Sequence, residues 1–133
     1  MSLSETKREV SQAVDALADT LAAVSADIHA HPETNFKEVR ASGLLAQTLR
    51  DAGIAVTHPA FDLDTSFVAE FGGDGPVVGI VAEYDALPGL GHACGHNIIG
   101  TAALGAALAL ARLGTALPGR VRLLGAPAEE GGG

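Results

Sequence analysis

Apolar residues recur near the start of the chain at alternating steps of four and three: Val10, Val14, Leu17, Leu21, Val24 and Ile28. That spacing lines one stripe of a helix and predicts a continuous element over residues 4–30. Ser2 followed by Glu5 offers a capping box at its start. Pro32 marks its end, because the residue before a proline is pushed out of helical geometry. A coiled-coil seam has similar spacing, but this stripe runs for only about four turns past its start. A second helix is predicted from residue 35 or 37 to 51, burying Val39, Leu44, Leu45 and Leu49, with Gly53 suited to a left-handed stop.

Helical spacing then gives way to short strand-like runs. Residues 54–58, 65–71 and 76–82 are predicted as strands. The connection Gly72-Gly73-Asp74-Gly75 suggests that the last two pair as a hairpin. Val78 and Ile80 would then share one face, and Val77, Gly79 and Val81 the other. Residues 98–113 form a helix that is apolar nearly all round, so it must be covered on more than one side. Pro118 and Gly119 break the chain before an apolar strand at 121–125. Strand, helix, strand in this order predicts a right-handed crossover between parallel neighbours in an α/β fold.

Composition narrows the picture. A chain of 133 residues suffices for one compact domain and is too short for two ordinary ones. Hydrophobic residues reach 47% but aromatics only 4%, so the core must be built from Ala, Val, Leu and Ile. A formal charge of -8 argues against nucleic acid or an anionic membrane as partner, since both require a positive surface. Cys94 stands alone, which excludes an internal disulfide and fits a reducing, cytoplasmic setting. Glu5, Lys7, Arg8 and Glu9 replace the positive tip and apolar core of a targeting segment, so none is expected. The longest apolar stretch, 98–111, falls short of the roughly 20 residues that span a bilayer.

Four segments carry candidate chemistry. In Gly91-His92-Ala93-Cys94-Gly95-His96-Asn97, a thiol and an imidazole stand two residues apart between a predicted strand and a buried helix. Open α/β sheets bind ligands in that crevice. Cys94 and His96 suit zinc, suit cobalt acceptably and match manganese less well. The same pair also fits an inert cysteine beside hydrogen-bonded histidines, or a Cys–His nucleophile with no obvious orienting residue. Glu129 and Glu130 follow the last strand at the same sheet edge; one could bind metal while the other serves as base, or both could be a solvated turn. Asp85, in Glu83-Tyr84-Asp85-Ala86-Leu87-Pro88, could accept the second N–H of a ligating histidine or simply shape a turn. Glu33 and Glu38 are expected to cap and solvate the second helix, and His29 and His58 to lie on the surface. The turn at 72–75 lacks the context of a nucleotide-binding loop.

Together these segments resemble the M20 family of metallopeptidases and amidohydrolases, nearest the aminobenzoyl-glutamate hydrolase-like and M20 domain-containing dipeptidase branch. The resemblance runs from about Ile28-His29-Ala30-His31-Pro32-Glu33 to Gly133. It is most specific at Glu83 to Pro88, His92 to Asn97 and Pro127 to Gly133. It implies Cys94, His96 and Glu130 as metal ligands, Glu129 as general base and Asp85 as the supporting aspartate. Glu83 occupies the position where many relatives carry a histidine ligand, and Asn97 one where many carry aspartate.

The implied fold is the amino-terminal part of a three-layer α/β/α metallohydrolase catalytic domain, preceded by two helices. The smaller inserted domain and the carboxyl-terminal catalytic part fall outside these residues. The implied activity is cleavage of an amide bond in a small N-acyl amino acid, aminobenzoyl-glutamate-like compound or dipeptide by metal-activated water. Zinc is the first expectation, with manganese or cobalt next, and full-length relatives are expected to be homodimers. The isolated chain is expected to be inactive. The alternative is a truncated fragment or non-catalytic interaction module.

Overall fold

The computed structural model describes residues 1–132; Gly133, last of the predicted glycine turn, lies outside them. The amino-terminal helix is in fact two, α1 (Leu3–Ala16) and α2 (Ala18–Ala30), joined at Leu17 with φ -96° and ψ -1°. Ser2 and Glu5 form the full capping box that the sequence offers. Both helices contact α4 (His96–Ala111), but only α2 sinks its stripe, burying Val24 and Ile28 while Val14 stays exposed. Apolar spacing shows which face is sticky. It does not show where a helix must bend to follow its neighbour.

α3 (Val39–Asp51) starts later than expected for a local reason. The Glu33 carboxylate accepts from the backbone N–H groups of Arg40 and Ala41, at 2.9 and 2.8 Å, satisfying two donors of the first turn. Arg40 in turn grips Asp27 of α2 with two hydrogen bonds, at 2.8 and 2.6 Å, and its guanidinium holds the Asp27 carboxyl below the usual range. Leu45 and Leu49 are buried as expected. Val39, at the helix start, faces outward. Gly53 has a φ of 81° just past the helix end, as a left-handed stop requires.

The sheet contains β1 (Val56–Thr57), β2 (Phe67–Gly72), β3 (Val77–Glu83) and β4 (Arg120–Ala126), in the order β1-β2-β4-β3. The expected hairpin of β2 with β3 does not form. β4 lies between them, antiparallel to β2 and parallel to β3. The glycines that suggested a tight turn have another task. Gly73 N–H donates to Gly119 O at 2.9 Å, and a Cβ at Gly72 or Gly75 would collide with the backbone of Gly119 or Pro118. They let the loop entering β4 pass close by.

The strand–helix–strand unit β3-α4-β4 joins parallel neighbours, and α4 packs on both strands. The architecture is therefore α/β, with two amino-terminal helices preceding a mixed sheet. The core gathers Ile28, Leu45, Leu49, Phe67, Tyr84, Leu104 and Leu123, mostly aliphatic as composition required. Arg120 and Arg122 pair with Glu70 across β4 and β2, at 2.9 and 2.6 Å, and together hold its carboxyl below the usual range. No helix among the described residues is long and apolar enough to cross a membrane.

Gly125 on β4 sits against the Phe67 ring, where an added Cβ would overlap ring carbons. Gly125→Ala is expected to destabilise the fold by about 1–3 kcal/mol through overpacking. Gly79→Ala, with no heavy atom within 4 Å of the new Cβ, should cost far less. Urea denaturation of the two variants beside the parent checks this ordering.

Candidate metal centre

Because β3 and β4 are parallel and in register through Glu83 and Ala126, their carboxyl ends open at one sheet edge. β3 delivers Glu83 and, just beyond it, Asp85. β4 runs into Ala128 and a one-turn 3-10 helix, Glu129–Gly131. α4 begins at the same edge with His96, after Gly95 turns the chain at φ 79°. Three chain segments far apart in sequence thus converge.

His96 is the hub, only 3% exposed. Its Nδ1 lies 2.9 Å from both the backbone oxygen and the Oδ1 of Asp85. Two acceptors on one side assign a proton to Nδ1, and Nε2 points the other way. Around Nε2 stand Glu83 Oε2 at 3.4 Å, Glu129 Oε2 at 3.6 Å and Glu130 Oε1 at 3.7 Å. Gathering three carboxylates at one point is unfavourable without a positive charge among them. One imidazole nitrogen and carboxylate oxygens are a donor set that suits a divalent cation. Glu83, His96 and Glu129 each offer a ligand atom, all within 4.8 Å of one another. The residues fit a divalent metal.

Asp85 does more than orient the imidazole. It is buried, and its second oxygen accepts the Glu130 backbone N–H at 3.0 Å. The carboxylate therefore ties the histidine to the acidic turn. Cys94 is exposed at the rim, beside the Glu130 carboxylate. Hydrogen bonding to that carboxylate, followed by desolvation and the negative charges of Glu130, Glu129 and Asp85, pushes the thiol above its ordinary range. A protonated thiol is a poor nucleophile, which weighs against the Cys–His pair as an attacking group.

Asp85, Glu129 and Glu130 thus stand about His96, with Cys94 at the rim. The ligand atoms that lie mutually close, however, are those of Glu83, His96 and Glu129, without the expected ligands Cys94 and Glu130. Two participants went unassigned. Glu83 had a signal: it stands two positions before Asp85, and period-two geometry sends both side chains the same way from a strand end. Glu38 had none. It is fully buried, accepting from Thr65 Oγ1 at 3.1 Å and from Ala128 N–H at 2.8 Å, rather than being solvated at a helix start. Glu33 does serve the first turn of α3. His29 is exposed, while His58 is partly buried against Ser42 Oγ at 3.2 Å. Asn97 donates to Ser25 Oγ at 3.1 Å, tying the start of α4 to α2.

Residues 79–133 match Peptidase family M20/M25/M40. The chain is 36% identical to a p-aminobenzoyl-glutamate hydrolase subunit of Escherichia coli (strain K12), over 98% of its own length and 31% of that protein's. It is 40% identical to the Xaa-Arg dipeptidase of Mus musculus, over 96% of this chain and 33% of that one. Among solved structures, a dinuclear metal binding peptidase of the M20 family from Bacillus subtilis superposes with a TM-score of 0.81. The two are 33% identical, over 87% of this chain and 37% of the other. The chain spans about a third of the length of the curated relatives it matches.

The raised Cys94 pKa has a directional consequence. In the metal-free protein, the rate of Cys94 alkylation should climb with pH later than that of an unperturbed cysteine. Glu130→Ala should move the midpoint down, because both the hydrogen bond and the nearest negative charge are gone. A midpoint unmoved by Glu130→Ala would show that the carboxylate does not control the thiol.

Proposed function

The chain belongs to Peptidase family M20/M25/M40, and from that premise we propose that it carries the acidic metal centre of an amidohydrolase or dipeptidase. The observation that supports this most directly is His96, with Nδ1 held by Asp85 and Nε2 turned into a ring of three carboxylates. The proposed ligands are Cys94, His96 and Glu130. Glu83 stands close enough to complete the ring in this chain. Zinc is the proposed ion, since a thiolate beside an imidazole suits it better than manganese; cobalt is the next choice.

Glu129 and Glu130 are adjacent yet differently placed, which supports a division of labour. The Glu130 side chain is 22% exposed and its backbone is fixed by Asp85. The Glu129 side chain is 49% exposed at the rim. A divalent ion held here supplies Lewis acidity toward an amide carbonyl and lowers the pKa of water. Glu129 then accepts the proton of the attacking water and returns it to the leaving amine nitrogen. Asp85 keeps the His96 proton on Nδ1 throughout, so that Nε2 stays a donor of its lone pair.

The proposed substrates are small amides with an amino-acid portion: an N-acyl amino acid, an aminobenzoyl-glutamate-like compound or a dipeptide. The names of the two relatives, one a hydrolase of p-aminobenzoyl-glutamate and one a dipeptidase, support that class. Further ligands, a smaller inserted domain and groups for the substrate carboxylate are proposed to come from the two thirds of the relatives' length not represented here. A reducing, cytoplasmic setting and a homodimeric whole enzyme complete the proposal.

Zinc titration by calorimetry tests the centre directly. The chain should take up zinc, His96→Ala should abolish uptake, and Cys94→Ala and Glu130→Ala should each weaken it. Asp85→Ala should lower affinity by about 10–100-fold, as loss of a partner behind a ligating histidine does. Equal affinity in the parent and His96→Ala would overturn the assignment. The 133 residues alone should hydrolyse N-acyl amino acids and dipeptides negligibly; turnover matching that of a full-length relative would contradict this division of the site.

A further inference from the structure

We propose that Glu38 is a positioning residue for the acidic turn, holding Glu129 and Glu130 in place from outside the metal centre. The starting observation is the backbone of Ala128, which has φ 58° and ψ 35° and is fully buried. A non-glycine residue persists in the left-handed region only where its surroundings over-determine it. Here the surroundings are two carboxylates. Glu38 Oε1 accepts the Ala128 N–H at 2.8 Å, and Asp85 Oδ2 accepts the Glu130 N–H at 3.0 Å. Between those two fixed amides lies Glu129.

Glu38 is itself held firmly. Its other oxygen accepts from Thr65 Oγ1 at 3.1 Å, and the Thr65 backbone oxygen accepts from the buried Tyr84 hydroxyl. It also sits immediately before α3, where the helix dipole favours a negative charge. The hydrogen bonds of the Glu38 carboxylate go to Thr65 and Ala128, and it is absent from the ring of donors around His96. Its direct tie to the acidic turn is the bond to the Ala128 N–H. Were that bond lost, Ala128 would be free to leave the left-handed region, and the two glutamates following it would swing away from Nε2.

The consequence for zinc rests on the proposed function; the consequence for the turn does not. Both can be read in this chain with three variants, by amide hydrogen exchange of the metal-free protein and by calorimetric titration with zinc. Glu38→Ala should lower protection at Ala128 and Glu130 by about tenfold or more while amides such as Leu123 keep theirs, and should weaken zinc binding about tenfold. Glu38→Gln should rescue both. Its amide oxygen can face Ala128 N–H, and its NH2 can face the Thr65 oxygen. Thr65→Val should lower thermal stability yet leave turn protection and zinc affinity unchanged, because the bond to Ala128 survives.

Unchanged protection of the turn in Glu38→Ala would overturn the proposal. So would an equal loss of zinc affinity in Thr65→Val, which would make the effect one of packing. If the parent takes up no zinc but Glu38→Ala still loosens the turn, the positioning role stands and the metal-centre reading falls. If Glu38→Ala does not fold, Glu38→Gln and Glu38→Asp carry the test. Gln should preserve the turn and the shorter Asp should loosen it; identical protection in both would refute the role.

Discussion

A carboxylate taken out of water must satisfy its oxygens with donors or leave the fold. At Asp85 that requirement joins three elements. One oxygen accepts from His96 Nδ1 at the start of α4, the other accepts from the Glu130 N–H beyond β4, and the residue itself follows β3. If any of the three elements shifted, Asp85 would be left with an unmet buried charge. The same bonds decide the chemistry: they set the imidazole tautomer and fix how far the acidic turn stands from Nε2.

The sheet supplies the edge on which this joint is built. Parallel pairing of β3 and β4 brings both strands out on the same side, and the connecting α4 has to return there to begin. Glycines make the close approaches possible. A Cβ at Gly100 would stand 2.8 Å from Glu83 O, so this residue lets the first turns of α4 lie tight against the end of β3. Gly131 has its counterpart in Asn35, whose side chain occupies the space a Cβ would need. The segment between α2 and α3 is therefore part of the frame around the turn. Glu33 adds to this frame, capping α3 through its side chain while its backbone oxygen accepts from Ala86 N–H at 2.8 Å.

The centre has an energetic tension that suits a cation. Glu83, Glu129 and Glu130 approach one imidazole nitrogen, and the Cys94 thiol beside them is pushed above its ordinary range. Two buried carboxylates, Asp85 and Glu38, hold this arrangement from behind without joining it. Structure at the rim is thus maintained by hydrogen bonds to backbone amides, which do not depend on the mobility of long side chains.

What the sequence determined by itself follows from local rules. Helical and strand periods located the elements within a few residues, the Ser2–Glu5 box was visible, and Gly53 announced its stop. Strand–helix–strand order implied parallel neighbours, and from that the shared edge for Asp85, Cys94, His96, Glu129 and Glu130. Long-range choices were not legible. The glycines at 72–75 read as a hairpin because a turn and a close backbone passage ask for the same residue, and only packing admits β4 between β2 and β3. The interruption at Leu17, between two helices that both contact the distant α4, had no local signal. Glu38 looked like an ordinary acidic residue at a helix start, since nothing local distinguishes a carboxylate facing water from one facing Ala128. Periodicity reports what a residue's neighbours in sequence require; which distant amide a buried oxygen must satisfy is decided only when the chain has closed around it.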